Sequence, residues 1–341
     1  MRTSHPKPLI DILTATLKQL GLGTKIKQHE VLDLWSQIVG DQISKVTSAE
    51  SIREGKLFIT VKHSVWRNEL LFLKQELIQK INSESKDIDG DGFVLQEKVE
   101  GTEFAVETWY ANGAPILANI DIEAKRKYNE VSDVQTGCSF GLTWIIPVEH
   151  PLRIKVNGAF DKYAPKFVRT GFVDLSVIHD HRTGKMYALE CCGNRPAYNA
   201  FYAILALLKI PIGKFFADYL RGRHTSDIGR KIFEERFAAS LRIFNDDKTP
   251  DQRVNIEKGF ERNFWLWDIH KKAGQLWTTG DESLGITTGT GENPESAFAA
   301  VRQNYFKLNM PTKWARDDYD EDDAPGLPLS RYHRMKRLEL I

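Results

Sequence analysis

Cysteine is scarce in this 341-residue chain, which carries only Cys138, Cys191 and Cys192. Two of them are neighbours, which rarely bond to each other, and none sits at a metal-ligand spacing. A disulfide scaffold and a thiolate zinc centre are thereby excluded, and reduced thiols point to the cytoplasm. Long hydrophobic runs are missing as well. The most apolar stretch, residues 200–210, ends at Pro211 and is too short to cross a bilayer. The first residues lack the apolar run of a signal peptide. The expectation is a cytoplasmic protein with no membrane partner. Nor does one sign of charge dominate: 47 Lys and Arg face 46 Asp and Glu, a net of +1. That balance gives no global attraction to nucleic acid or to a membrane. What remains is ordinary globular material, 41% hydrophobic and 27% charged, long enough for two or three domains.

The charge is unevenly spread. Residues 1–86 hold 13 Lys and Arg against 9 Asp and Glu. A small basic excess suits a polyanion partner and suits a mixed solvated surface equally well. In this region residues 8–20 place Leu9, Ile10, Leu13, Leu17 and Leu20 at helical spacing. A second helix is expected over about 28–39, with Val31, Leu34, Trp35 and Ile38 on one face and Gly40 closing it. A strand follows at 56–61, where Leu57, Ile59 and Val61 alternate with Lys56, Phe58 and Thr60. A third helix spans about 64–81, with Leu70, Leu73, Leu77 and Ile81 inward. The order is that of a small α/β unit.

The segment SESKDIDGDG (83–92) has no apolar period and marks a boundary. Beyond it, strands are expected at 93–98 and 103–110, flanking Glu100-Gly101, and then at 115–122, 171–179 and 186–191. Helices are expected after Pro196, over about 227–244 and at 294–306, and the glycine-rich 285–291 reads as a turn. The acidic run 317–323 and the basic run 331–337 read as solvated or disordered ends.

Some residues suggest chemistry. The hairpin VLQEKVEGTEFAVE carries Gln96, Glu97 and Glu103; a backbone segment followed by a carboxylate can hold an adenine edge and a ribose. A charged hairpin edge explains it too. Asp174 and Glu190 lie on strands joined by the turn 181–184, so they can face one site, with Asn194 and Arg195 just beyond. Two oxygen ligands plus an amide suit Mg²⁺, and an arginine steadies phosphate. A surface carboxylate pair with a salt bridge is the plainer account. In residues 1–86, Lys56, Lys62, Arg67 and Lys74 are candidate phosphate contacts or simply solubilising charges, while Trp35 and Trp66 sit on apolar faces as core anchors.

Two resemblances order these signals. The spacing W-x-x-I-V-G at 35–40, G-K-L-x-I-x-V at 55–61 and S-x-W-x-x-E-L at 64–70 resembles the DciA family over about residues 8–82. The resemblance implies a KH-like module associated with DNA and the replicative helicase. The last strand usual in that family is not evident after the third helix. Downstream, E-K-V-E-G-T-E-F (97–104), K-R-K-Y (125–128), Q-T-G-C (135–138), G-F-V-D-L (171–175) and L-E-C-C-G-N-R-P (189–196) resemble ATP-grasp ligases. Within these the likeness is to phosphoribosylamine–glycine ligase, and W-L-W-D (265–268), S-L-G-I-T-T-G-T-G (283–291) and Arg316-Asp317 extend it to about residue 318.

This second resemblance implies ATP and Mg²⁺ as cofactors, and an acid and an amine as substrates in a reaction of the purine-biosynthesis type. It puts Gln96 and Glu97 at the adenine hinge and Glu103 on the ribose. Asp174, Glu190 and Asn194 would hold metal, Arg195 the phosphates, and Lys125 with Thr136-Gly137 the substrate side. Three residues separate Glu190 from Asn194 where the family has one. The front half of an ATP-grasp, which covers the phosphates, has no counterpart before Phe93.

The expected fold is therefore α+β: a DciA-like module at 1–86, a linker at 87–92, a partial ATP-grasp subdomain of antiparallel sheet and helices at 93–250, a small domain at 251–318 and a charged tail at 319–341. Three functions stay open. The chain is a ligase remnant needing its missing half, or a DNA- or helicase-binding accessory protein with a passive appendage. The third is two gene fragments in one frame.

Overall fold

The computed structural model describes residues 32–53, 56–62, 66, 70, 73, 76–81, 94–97, 99–128, 135–193, 196–224, 231–234, 236–245, 248–318 and 326–341. They form two compact units, Met1–Glu100 and Gly101–Ile341. The helix expected at 8–20 and the linker at 87–92 lie outside the described residues.

In the first unit, helix α1 (Trp35–Ser44) buries Trp35, Ile38 and Val39. Gly40, at φ 76° and ψ 169°, interrupts its helical path in a conformation that a residue with a Cβ resists. The Trp35 indole donates to Thr47 Oγ1 at 3.1 Å, and Thr47 donates to the Ile43 carbonyl at 2.7 Å. These bonds tie α1 to β1 (Thr47–Arg53), which pairs antiparallel with β2 (Lys56–Val61). Ile52, Leu57 and Ile59 meet Leu70, Leu77 and Ile81 of the third helix in one core. A third strand, β3 (Val94–Glu97), lies parallel to β2, with Phe58 opposite Gln96 and Ile59 opposite Glu97.

Strand β3 corrects two expectations. The module does have a strand after its third helix, and the hairpin drawn between 93–98 and 103–110 does not form. Gly101 is not its turn: a Cβ there would collide with the His179 carbonyl, so the glycine serves close strand approach.

The second unit is built on an eight-stranded antiparallel sheet. Its strands are β4 (Gly101–Ala111), β5 (Ala114–Arg126), β6 (Gln135–Ile146), β7 (Gly171–Asp180), β8 (Met186–Gly193) and β9 (Phe237–Phe244), followed later in the chain by β11 (Phe264–Leu266) and β14 (Ser283–Gly291). The order across the sheet is β11-β14-β9-β6-β5-β4-β7-β8. A smaller sheet joins β10 (Arg253–Ile256), β12 (Ile269–Lys272), β13 (Gln275–Thr278) and β15 (Leu308–Asn309). The helices of seven residues or more among the described residues are α2 (Pro151–Asn157), α3 (Tyr198–Ala206), α4 (Ile212–Leu220), α5 (Pro294–Phe306) and α6 (Pro328–Arg337).

Residues 93–250 and 251–318 were expected as separate domains, yet strands from both sides of residue 250 share the large sheet. Residues 237–244 are strand rather than helix. Buried on both faces, they show no clean alternation, and a short apolar run of that kind reads either way. The glycine-rich 285–291 is strand β14 and not a turn. A Cβ at Gly289 would strike the backbone of Val301, so the glycines let α5 lie directly on the sheet. The tail is also corrected: α6 buries Leu329, Tyr332 and Met335 in the main core. Its basic residues hid an apolar face at helical spacing.

Candidate functional site

Strand alternation divides the side chains of the large sheet. One face of β4–β6 carries Phe104, Val106, Ile120, Ile122, Phe140 and Leu142, the core beneath α5 and α6. The other carries Glu103 and Glu107 on β4, and Asn119, Asp121, Glu123 and Lys125 on β5. Cross-strand register adds to that face: Glu107 lies opposite Asp174, Ala105 opposite both Ser176 and Asp121, and Ser176 opposite Glu190. Six carboxylates from four adjacent strands therefore share one face.

Lys125 sits among them, its Nζ 3.2 Å from Glu103 Oε1 and 3.9 Å from Glu190 Oε1. Burial pulls its pKa down, but Glu103 and Glu123 outweigh that and hold it above its ordinary value. Deeper in, Glu107 accepts from Asn119 Nδ2 at 3.0 Å and from the Ala197 amide at 2.5 Å. Asn119 is itself oriented by the Trp109 indole at 3.2 Å, and Asp121 accepts from Thr143 at 2.5 Å.

Their ionisation follows from this crowding. Burial, then the charge of Asp174, pushes Glu107 up to about 8. Burial raises Glu123 to about 7, even with Lys125 opposing it. Burial, then Glu123 and Glu190, raises Asp174 to about 7, and burial with Glu123 lifts Asp121 well above the carboxylate range. Asp121 Oδ2, Glu123 Oε1 and Asp174 Oδ1 are buried without a hydrogen-bond partner. Buried Cys138 is raised as well, first by burial and then by Glu123, so it is no thiolate nucleophile.

A water-sized cleft of about 10 Å³ opens on this face, lined by Glu103, Asp121, Glu123, Lys125, Ser176 and Arg331. Arg331 comes from α6, and its Nη1 donates to the carbonyls of Glu103 at 3.3 Å and Glu123 at 3.2 Å. Among the described residues, no three His, Cys, Asp or Glu converge closely enough to chelate an ion. The donor set is nonetheless all oxygen, with unsatisfied oxygens at its centre. That suits a cation held by one or two carboxylates together with phosphate oxygens.

The structure thus brings Glu103, Lys125, Asp174 and Glu190 onto one face. Gln96 and Glu97 lie on β3, in the sheet of the first unit. Asn194, Arg195, Arg67 and Lys74 lie outside the described residues. Thr136, on β6, accepts from Arg242. Arg316 pairs with Asp318 at 2.8 Å. Lys56 is in β2, and the Lys62 ammonium donates to the Lys45 carbonyl at 2.9 Å. Sequence reading missed Glu107, Asp121, Glu123 and Arg331. The signal was present in N-I-D-I-E-A-K (119–125), whose polar residues recur every second position along a single strand face.

Comparison with known proteins fits both units. Residues 8–89 match the family model described as "Dna[CI] antecedent, DciA". A UPF0232 protein of Mycobacterium ulcerans is 29% identical over 99 residues, covering 29% of this chain and 51% of that protein. One from Rhodococcus jostii is 27% identical over 96 residues, covering 28% and 49%. The chain thus spans about half the length of the curated relatives it matches. Among solved structures, phosphoribosylamine–glycine ligase from Thermotoga maritima superposes with a TM-score of 0.50 at 19% identity, covering 81% of this chain and 70% of that one. The N-terminal part resembles the DciA family and the remainder has an ATP-grasp-like α+β fold.

Proposed function

We propose that the second unit is the remnant of an ATP-grasp carboxylate–amine ligase that keeps a Mg²⁺–nucleotide pocket on the carboxylate face of its sheet, joined to a DciA-like module that engages DNA or the replicative helicase. The observation that carries the reading is the row of six carboxylates on β4, β5, β7 and β8 with buried, unsatisfied oxygens. Such an array is costly without a counter-cation. Asp174, Glu190 and Asn194 would hold the metal and Arg195 the phosphates. Glu103 and Lys125 would flank the nucleotide and the substrate. When bound, the nucleotide supplies phosphate to activate a carboxylate for attack by an amine. The chain's own residues supply orientation and charge. Activity is impaired without the front half that covers the phosphates.

Calorimetry of the whole chain with Mg·ATP tests this. Saturable binding that weakens at least tenfold in Glu190→Ala is expected; absence of binding refutes the ligase remnant. A second reading, a DNA- or helicase-binding accessory protein with a non-catalytic second unit, draws on Lys125, which already neutralises Glu103 and Glu190. It is favoured if the whole chain binds DNA in a salt-dependent way and Mg·ATP not at all.

A further inference from the structure

Arg242, on β9, stands out among the cations of the second unit. Its Nε donates to Ser283 Oγ at 2.8 Å and its Nη1 to Thr136 Oγ1. Its guanidinium lies over the Tyr198 ring at 4.9 Å and the Phe244 ring at 5.6 Å. Two hydroxyls and two rings fix its position, yet no carboxylate among the described residues lies within ion-pair distance of it. A half-buried guanidinium normally takes such a partner, because desolvated charge is costly. One held rigidly without a partner is prepared for an anion.

Of the rings beside it, Phe244 is buried and Tyr198 is open to solvent. Tyr198, at the start of α3, is 39% exposed. It meets Trp267 edge-on at 5.6 Å, Tyr202 stacks with Trp267 at 6.1 Å, and Tyr202 leans on Trp265 at 5.3 Å. The four rings come from α3, β11 and the residue just after β11, so three-dimensional packing assembles them rather than one amphipathic period. Core aromatics bury their faces fully; these four do not. A half-open aromatic shelf offers stacking to a flat ligand.

We propose that Arg242 with Tyr198, Tyr202 and Trp267 forms a second binding site, for a small molecule that joins a planar ring to a carboxylate or phosphate. The guanidinium takes the anion and the shelf takes the ring. Arg242 lies on the same face of the large sheet as the carboxylates, on β9 beyond β6, but the site uses none of the six carboxylates, so its test is separate from that of the ligase reading.

The test uses the whole chain without divalent cation, with benzoate and phenyl phosphate as probes. Benzamide serves as the ring without charge, and inorganic phosphate and acetate as charge without the ring. Tryptophan fluorescence and calorimetry are expected to show saturable binding of at least one ring-bearing anion, at least tenfold tighter than any control. Arg242→Gln should weaken it tenfold or more, Arg242→Lys less, and Glu190→Ala not at all. Preference for phenyl phosphate or for benzoate assigns the phosphate or the carboxylate class, and either supports the site. Lack of saturation by 10 mM, on the order of a 2.7 kcal/mol affinity, overturns it. So does equal binding of inorganic phosphate, or an unchanged Kd in Arg242→Gln. If Arg242→Gln does not fold, Trp267→Leu is read by calorimetry with the same tenfold criterion.

Discussion

The carboxylate face makes the second unit lose stability as the pH rises from 5 to 8. Glu107 is fully buried, and its pKa is raised from the ordinary 4.5 to about 8. For an acid raised on folding, the native state binds the proton more tightly than the unfolded chain. Its contribution is fully present below pH 4.5 and is lost as the pH climbs to 8. At 1.36 kcal/mol per pH unit, Glu107 alone costs about 1 kcal/mol at pH 5 and about 4 kcal/mol at pH 8. Glu123 and Asp174, each raised to about 7, act in the same direction. The three repel one another, so their losses overlap and do not add. Glu107→Gln keeps the volume and the acceptor for the Ala197 amide. It turns an amide toward Asn119 Nδ2, a donor against a donor, which costs roughly 1 kcal/mol. The variant should therefore match or trail the parent at pH 5 and exceed it by about 2–3 kcal/mol at pH 8. Urea titrations read by hydrogen exchange in peptides from β4 and β5 report on this unit. A parent more stable at pH 8 than at pH 5, or a Glu107→Gln protein weaker at every pH, would refute the reasoning.

Other perturbations probe the rest of the architecture. Gly289→Ala should cost about 1–3 kcal/mol and lower the Tm, because its Cβ meets the Val301 backbone of α5; an unchanged melt would mean that helix moves freely. Arg331→Met strands the carbonyls of Glu103 and Glu123 and should cost about 2–4 kcal/mol in urea titrations, with Arg331→Lys recovering part. Lys62→Ala should reduce the log–log salt slope of DNA binding by about 1 if Lys62 contacts a phosphate; an unchanged slope leaves it as the anchor of the Lys45 carbonyl.

Periodicity made much of this fold readable, and its failures have particular causes. Strand β2 and helix α5 follow their apolar spacing closely because each has one buried and one polar side. Strand β9 did not, since helices cover one face and the core fills the other, erasing alternation. Helix α6 was hidden by charge: Arg331, Arg334, Lys336 and Arg337 dominate the composition, while Tyr332 and Met335 do the packing. The site was half legible. Glu103, Lys125, Asp174 and Glu190 emerged from motif order. Glu107, Asp121 and Glu123 needed strand register, which no single segment reveals, to become one cluster. Local sequence could not say which sheet would take 94–97. Parallel pairing with β2 depends on a partner more than thirty residues earlier.

That parallel pairing bears directly on nucleotide choice. Adenine is distinguished from guanine by hydrogen bonds from a backbone segment to the base edge, and the segment expected to supply them contained Gln96 and Glu97. One edge of its backbone is taken up by Phe58 and Ile59 in the sheet of the first unit. On the proposed reading, the carboxylate face itself would meet a cation, phosphates and hydroxyls, groups that ATP and GTP share. A buried polar edge contact that discriminates two ligands is worth about 1–3 kcal/mol, roughly ten- to a hundredfold in affinity. Without one, the Kd values for Mg·ATP and Mg·GTP should agree within about threefold, or roughly 0.7 kcal/mol. Calorimetry of the whole chain with each nucleotide decides the matter. A tenfold preference for Mg·ATP would mean that an adenine-reading edge survives in the protein.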